Sequence, residues 1–211
     1  MVDSQVGGVV LQVLNFTCVL PCIALKVPQI WRILQTKSTK GVSITSVLLE
    51  WACFAVILVY QFANGYPIES YAEWILLNIQ ELILVMLVMF YQNFSIFKIF
   101  ILGMIYMAYS ISSALDVIPM WILAGMMSFI TPCSASSKVL QIQKIISSQD
   151  SGSVSLMTWL ASTYVAAGRV ITTYIQTGDI PLIINYTVAA LLNAGLVVCI
   201  IVYSPSKKKM Q

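Results

Sequence analysis

The amino-acid sequence predicts an all-α membrane protein whose helices cross the bilayer several times. Apolar residues make up 59% of the 211 residues and charged residues only 9%, with a mean hydropathy of +0.90. This is more apolar surface than one water-soluble core can bury. The apolar runs are continuous, as in "VLLEWACFAVILVYQF", whereas the strands of a membrane barrel alternate apolar and polar residues. A bundle of transmembrane helices is therefore the predicted fold class.

Seven apolar runs are long enough to cross a membrane as helices. A helix rises about 1.5 Å per residue, so roughly 20 residues cross the roughly 30 Å of hydrocarbon. The first run is not predicted to be a signal peptide, because its flank "MVDSQ" has no basic residue and the run contains prolines. The predicted spans are 6–30, 42–63, 72–91, 95–115, 117–144, 154–175 and 181–203.

The basic residues predict the orientation of the chain in the membrane. Of the eleven lysines and arginines, only Arg169 lies well inside a span. The other basic residues all lie on or at the edge of one face of the bundle: Lys26, Arg32, Lys37, Lys40, Lys98, Lys138, Lys144, Lys207, Lys208 and Lys209. Because basic loops stay in the cytosol, we expect a luminal or extracellular amino terminus and a cytosolic carboxyl terminus. Seven spans are consistent with that arrangement.

The chain contains the same three-span unit twice. The phrase "KVPQIWRILQTKSTKGVS" begins at Lys26, and "KVLQIQKIISSQDSGSVS" begins at Lys138. The letters "LLN" end at Asn78 and again at Asn193. Two copies in the same orientation need an odd number of crossings between them, which the fourth span supplies. We therefore predict a 3+1+3 plan, with a first repeat at 1–93, a linker helix at 94–116, a second repeat at 117–204 and a basic tail at 205–211.

These motifs resemble those of the PQ-loop repeat family, which includes the SWEET sugar carriers and the lysosomal amino-acid exporters. The resemblance is carried by "KVPQI" with "KSTKGVS" and by "KVLQI" with "DSGSVS", and it covers nearly the whole chain. Through "ANGYPIESYAEW" and "DSGSVSLMTWLASTY", the chain is most similar to solute carrier family 66, and more distantly to the mannose-P-dolichol utilization factors. The resemblance implies two parallel three-helix halves with a solute site between them.

The proline of the first PQ motif is predicted to bend the first span. Proline removes a backbone hydrogen bond inside a helix, so the Pro28–Gln29 pair is a candidate hinge at the cytosolic gate. The second copy keeps Gln141 but departs from the family pattern with Leu140, and Pro132 is the expected site of its kink. Alternatively, each proline only shapes a static helix.

Three ionisable residues within the spans are candidate coupling groups. A charge at membrane depth costs several kcal/mol unless it is paired or solvated. From helix rise, Glu50 and Glu81 lie roughly 12 to 13 Å from the ends of their spans, and Arg169 lies roughly 9 Å from the end of its span. Glu81 and Arg169 are similar in depth, which predicts an ion pair. Alternatively, Glu50 or Glu81 takes up and releases a proton during transport.

Two repeated asparagines are the candidate solute ligands. Asn78 and Asn193 occupy the same position of the two copies, and in the SWEET carriers a similar asparagine pair contacts the solute. An amide offers two donors and an acceptor, which suits a hydroxyl-rich or zwitterionic solute. Glu81 lies three residues after Asn78 and so shares its helix face. The alternative is a hydrogen bond between helices.

Four lysines are predicted to act near the cytosolic face. Lys26 and Lys138 each lie one turn from a glutamine of the motif, where they would attract an anionic group or extend toward lipid phosphates. Lys208 and Lys209 are the fourth and third residues from the carboxyl terminus, a dilysine pattern that resembles the signals by which coat proteins return membrane cargo to the endoplasmic reticulum. Alternatively, this basic tail only anchors the last span at the headgroups.

The residues for classical hydrolytic or ATP-driven catalysis are missing from the sequence. The chain has no histidine, no phosphate-binding glycine-rich loop and no nucleophile beside a base, so we expect no enzyme, cofactor or metal. We expect a carrier that moves a small polar solute by alternating access. The alternatives are an endoplasmic-reticulum accessory factor for dolichol-linked sugars and a cargo receptor. The expected partners are the lipid bilayer, the solute and coat proteins, with no nucleic acid; homo-oligomers are compatible with the sequence. The endoplasmic reticulum is favoured over the lysosome.

Overall fold

The computed structural model describes residues 2–39, 42–151 and 155–203. Helices connected by short loops make up this part of the chain, which contains no strand. The all-α class is therefore confirmed. The helices are α1 (Val2–Val19), α2 (Val27–Thr36), α3 (Ile44–Ala63), α4 (Ala72–Tyr91), α5 (Ile96–Ala114), α6 (Met120–Ser148), α7 (Leu156–Gln176) and α8 (Ile180–Val202), with 3-10 helices at Leu20–Ala24 and Ile68–Ser70.

Among the described residues, five helical segments are long and apolar enough to cross a membrane, namely Gly8–Thr36, Ile44–Ala63, Ala72–Tyr91, Ile96–Ala114 and Ile180–Val202. They make the chain a multi-pass membrane protein. Helices α6 and α7 occupy the predicted fifth and sixth spans, but their serines, threonines and basic residues make them less apolar. The seven crossings and the 3+1+3 plan stay predictions.

The first predicted span is broken into three helical pieces. Helix α1 ends at Val19, a 3-10 helix follows, and α2 begins only at Val27. Pro21 opens the 3-10 helix and Pro28 stands in the first turn of α2, where the missing N–H would have no helical partner in any case. The break therefore lies before Pro28, whereas we expected a kink at that residue. Pro21 did not enter the prediction.

Serine and aspartate caps fix where several helices begin. Ser43 accepts a hydrogen bond from the Ser46 N–H at the start of α3, and Ser155 does the same for Thr158 at the start of α7. Asp179 caps α8 in the same way through the Leu182 N–H. Such caps satisfy amide groups that the first helical turn leaves unpaired. Ser43 and Ser155 are equivalent in the sequence repeat, so the two copies start their second helix alike.

The chain forms two compact packing units. The terminal unit comprises Met1–Cys18 with Met127–Gln211, and the central unit comprises Val19–Met126. Helix α1 thus belongs almost wholly to the terminal unit, and α6 begins in the central unit and continues in the terminal one. The predicted repeat boundaries stay a prediction, because packing units need not coincide with sequence repeats.

The central unit is built around the packing of α3 against α4. Its core contains Ile33, Val47, Trp51, Leu84, Val85, Val88 and Met89. The Trp51 ring packs against Tyr106 of α5, with 4.7 Å between ring centroids. Most other large side chains of α5 are exposed, as expected for a helix in contact with lipid. Burial of this apolar face holds α3 and α4 side by side and fixes the orientation of their polar residues.

The terminal unit joins α1 and α6 to the α7–α8 pair. Ile145 of α6 packs with Leu196 and Ile200 of α8 in one buried cluster. Helices α1 and α7 approach each other at Gly168, where an added Cβ would lie only 2.6 Å from the fully buried Sγ of Cys18. A small residue is therefore required at position 168, as is common where membrane helices pack closely.

Candidate functional site

Lys26 lies in a buried acidic and aromatic site of the central unit. Its Nζ is 2.6 Å from Oε1 of Glu50 and 3.0 Å from Oε2 of Glu81. The Phe54 ring centroid lies 5.8 Å from the same nitrogen. We call Glu50, Phe54 and Glu81 the ammonium cage. Carboxylates and the face of an aromatic ring both attract a cation, so all three side chains stabilise the lysine charge.

Local helix geometry explains how these residues meet. Glu50 and Phe54 are four residues apart on α3 and therefore share one face of that helix. Glu81 lies near the middle of α4, which packs beside α3. The break in the first span ends at Lys26, just before α2. Glu81 is fully buried, but the Glu50 side chain is 44% exposed, so the cage is open on the Glu50 side.

Gln80 bridges the break in the first span. Its Oε1 accepts a hydrogen bond from the Lys26 backbone N–H at 3.0 Å, and its Nε2 donates to the Cys22 carbonyl at 2.8 Å. A helix break frees backbone groups that are costly to leave unpaired in a membrane. Sequence reasoning missed Gln80, although an amide beside Glu81 in an apolar span was a usable signal.

The two predicted solute ligands of α4 are buried on one helix face. Asn78 is 4% exposed and donates its amide N–H to the Trp74 carbonyl at 2.8 Å. Within the described residues, neither its Oδ1 nor Oε1 of Glu81 accepts a hydrogen bond. Both atoms are acceptors, so this face of α4 offers acceptor groups.

Two further predicted site residues, Asn193 and Arg169, are buried in the terminal unit. Asn193 is 4% exposed, and its Oδ1 has no hydrogen-bond partner in the part of the chain that the structure describes. Arg169 is 1% exposed and donates from Nη1 to Oδ1 of Asn15 at 3.0 Å. The contact with Asn15 was not predicted. Glu81 and Arg169 belong to different units, so their ion pair stays a prediction.

The remaining predicted site residues lie in less distinctive surroundings. Lys26 itself is buried and ion-paired. Lys138 is half-buried in the middle of α6, and Gln29 and Gln141 are also half-buried. Pro132 is inside the continuous helix α6. The retrieval-signal residues Lys208 and Lys209 lie outside the described residues, as does Lys40.

Sequence comparisons place these features in a known group of proteins. Residues 10–70 match the profile of the PQ loop repeat. The chain is also 35% identical over 198 residues to the Homo sapiens protein "Solute carrier family 66 member 3", covering 93% of this chain and 96% of the relative. The chain belongs to the PQ-loop repeat family. No solved structure matches it.

The matched PQ-loop segment contains most of the unusual chemistry of the central unit. Residues 10–70 include the helix break, Lys26, Glu50 and Phe54. The Pro28–Gln29 pair that gives the PQ loop its name stands in the first turn of α2, directly after Lys26. In this PQ-loop protein the motif therefore follows the helix break along the chain and precedes the residues of the ammonium cage.

Proposed function

We propose that this PQ-loop protein is a secondary carrier that moves a small polar solute by alternating access between its two sequence repeats. The relative in Homo sapiens is named a solute carrier, and the chain contains the internal repeat on which such carriers are built. One observation carries the proposal. The asparagine that recurs in both copies, Asn78 and Asn193, is buried each time with an amide oxygen that no described residue engages.

Buried polar atoms without partners are expensive, which is why they indicate a ligand. In native proteins most buried polar groups have a hydrogen-bond partner, and an unpaired one costs about 1 to 3 kcal/mol. That cost recurs at equivalent positions of two copies, so we attribute it to a shared role in binding the solute. In carriers, polar side chains at membrane depth commonly bind the substrate or the coupling ion.

The break in the first span supplies a place for the gate to bend. Residues 20–26 contain Pro21 and end two residues before Pro28, and the backbone there depends on Gln80 for two of its hydrogen bonds. A segment held by side chains can exchange partners during a conformational change more readily than a continuous helix. We propose that the first repeat bends there as the site opens to the cytosol.

Uptake into liposomes containing the purified protein tests the carrier function. We expect uptake of one solute class among sugars, amino acids and nucleotide sugars, and a loss of at least about tenfold in Asn78→Ala and Asn193→Ala, since each removes a ligand worth about 1.4 kcal/mol or more. Asn185→Ala is the matched control on α8, because the Asn185 amide already donates to Thr131. Absence of uptake, with binding of a dolichol-linked sugar instead, would favour the accessory-factor alternative.

Proton coupling is a separate part of the proposal. If Glu81 or Glu50 exchanges a proton during transport, Glu81→Gln or Glu50→Gln abolishes the response of uptake to a pH gradient while the protein still inserts and folds. Glu69→Gln, a change at an exposed carboxylate of the same unit, keeps that response. Wild-type uptake that ignores the pH gradient would contradict the coupling role.

Orientation and compartment complete the proposal. We propose a luminal amino terminus, a cytosolic carboxyl terminus and retrieval to the endoplasmic reticulum through Lys208 and Lys209. Changing both lysines to serine is expected to release the protein to the Golgi, lysosome or cell surface with unchanged topology. Selective permeabilisation with epitope-tagged termini measures both properties. A reticular location for the double variant, or a cytosolic amino terminus, would contradict these assignments.

A further inference from the structure

Lys26 has two carboxyl groups beside its single ammonium group. Glu50 and Glu81 contribute two carboxylates to one ammonium group, and Glu81 is fully buried in the middle of α4. A net charge at membrane depth is costly. When both carboxylates are ionised, the cage therefore favours the arrival of a second cationic group over that of a neutral or anionic one.

The unused hydrogen-bonding atoms near Glu81 point to the same class of ligand. Lys26 engages Oε2 of Glu81 and leaves Oε1 without a hydrogen bond among the described residues. One turn away, the Asn78 amide donates one N–H to the Trp74 carbonyl, and its Oδ1 accepts no hydrogen bond from the described residues. The two buried atoms left without a hydrogen bond are thus both acceptors, which matches an ammonium group, with three donors and no acceptor, better than a carboxylate or phosphate.

Phe54 adds a third feature that selects cations. Its ring lies 5.8 Å from the Lys26 nitrogen and packs against Trp74, with 5.6 Å between the two ring centroids. Aromatic rings beside carboxylates are the usual means by which proteins recognise alkylammonium groups. The Lys26 side chain is itself a primary alkylammonium, and it shows that this chemistry fits the cage.

We propose that Glu81, Phe54 and the Asn78 oxygen bind an alkylammonium group of the solute, which replaces the Lys26 ammonium on Glu81. This inference rests on the proposed carrier function and names the chemical class of its solute. Glu50 is partly exposed and remains available to Lys26 after the exchange. The exchange keeps every cation beside a carboxylate, and it releases the Lys26 side chain from Glu81 of α4, while the Lys26 backbone N–H stays bonded to Gln80.

Binding of three matched two-carbon probes to the full-length protein in lipid nanodiscs tests the inference. Ethanolamine, ethylene glycol and glycolate present a cation, a neutral group and an anion on similar frames, and calorimetry or a thermal shift reports binding without any need for transport. We expect saturable binding of ethanolamine alone. Glu81→Gln should weaken it at least about tenfold, because it replaces the charged acceptor of the ammonium group by a neutral amide.

Three further variants separate a ligand role from a structural one. Asn78→Ala keeps the Lys26 ion pairs and so preserves the fold, yet it should weaken ethanolamine binding roughly threefold to tenfold by loss of one acceptor. Lys26→Met removes the internal competitor and should tighten binding. Glu69→Gln makes the same charge change at an exposed position and should bind as the wild type does.

The outcomes that overturn the inference are distinct from failure of the carrier function. Equal binding of ethylene glycol, preference for glycolate, no binding of any probe, or a thermal shift that follows pH but not ethanolamine would each remove the ammonium site. If Lys26→Met binds ethanolamine more weakly than the wild type, the proposed replacement of the Lys26 ammonium by the ligand is wrong. Uptake of a neutral solute without ethanolamine binding would contradict the ammonium site but support the carrier function. Ethanolamine binding without uptake of any solute would support the site but contradict the carrier function.

Discussion

Lys26 and Lys138 begin the same repeated phrase, yet their surroundings differ. Lys26 is buried between two carboxylates, whereas Lys138 is half-buried and pairs with no carboxylate within residues 2–39, 42–151 and 155–203. The shared "LLN" letters align Glu81 with Leu196. Leu196 is fully buried and packs against Ile145. The second copy has thus replaced an ionic contact of its third helix with an apolar one.

The first helix of each copy also differs, since it is broken in the first copy and continuous in the second. Alignment through "LLN" also places Gly195 opposite Gln80, the residue that hydrogen-bonds both sides of the break. In the second copy a glycine offers no such side chain, and α6 continues without a break from Met120 to Ser148. Membrane helices can interrupt their internal hydrogen bonds only where other groups replace them. The first helix is therefore broken in the copy whose third helix has a bridging side chain, and it is continuous in the copy whose third helix has a glycine there.

The largest expected effect comes from removing each lysine charge. Lys26→Met leaves two carboxylates without their cation and should lower the free energy of unfolding by about 3 to 5 kcal/mol, the usual cost of breaking a buried ion pair. Lys138→Met should change it by less than about 1 kcal/mol, as for a partly exposed, unpaired side chain. Denaturation with SDS in mixed micelles measures both. Equal losses in the two variants would mean that the copies do not differ as described.

The bridge across the helix break should matter less than the ion pairs. Gln80→Leu leaves the Lys26 N–H and the Cys22 carbonyl without the bridging side chain and should cost about 2 to 4 kcal/mol, with faster hydrogen exchange at residues 22–26. Gly195→Ala is the matched control at the equivalent position. Its Cβ would meet Ile142 at 3.5 Å, an ordinary contact, so stability should hardly change. Unchanged exchange in Gln80→Leu would show that the bridge does not hold the break.

Much of this architecture follows from sequence, and the unpredicted part has a common cause. Apolar runs define where α3, α4, α5, α7 and α8 lie, because hydrophobicity is a local property of the sequence. The burial of Asn78, Glu81, Arg169 and Asn193 also followed from placing polar residues inside spans. The partners of these residues did not follow from sequence.

Pairing depends on which helix faces meet, and no repeat or spacing in the sequence specifies that. Lys26 was interpreted beside Gln29, its neighbour one turn away, although its partners lie on α3 and α4. Arg169 was assigned to a carboxylate, and its hydrogen bond to Asn15 comes from helix α1, more than a hundred residues away in sequence. The sequence predicts a kink at Pro28, and it does not indicate the break before that residue, which Gln80 on another helix bridges.

The close contact of α1 with α7 predicts a third, smaller effect in the terminal unit. Gly168→Ala puts a methyl group against the buried Cys18 sulfur and should cost about 1 to 3 kcal/mol through overpacking. Adding Cys18→Ala removes the sulfur and should restore part of that loss, so the double variant is more stable than the two single effects added together. Strict additivity in the same micelle titration would mean that the two residues do not touch.

The smallest expected effect concerns the proline that names the motif. Pro28 stands at the second position of α2, where no intrahelical hydrogen bond is lost, so Pro28→Ala should lower the free energy of unfolding by only about 0.4 to 1 kcal/mol, through greater freedom of the unfolded chain. Pro132 lies inside α6, and Pro132→Ala should leave stability unchanged or raise it, because an alanine N–H can complete the helix. Opposite signs are therefore expected for the two prolines. If the break at residues 20–26 is the hinge, Pro28→Ala also keeps uptake while Gln80→Leu alters it. Loss of uptake in Pro28→Ala with normal stability would indicate that the first span bends at Pro28. Gln80 would then only stabilise the resting conformation.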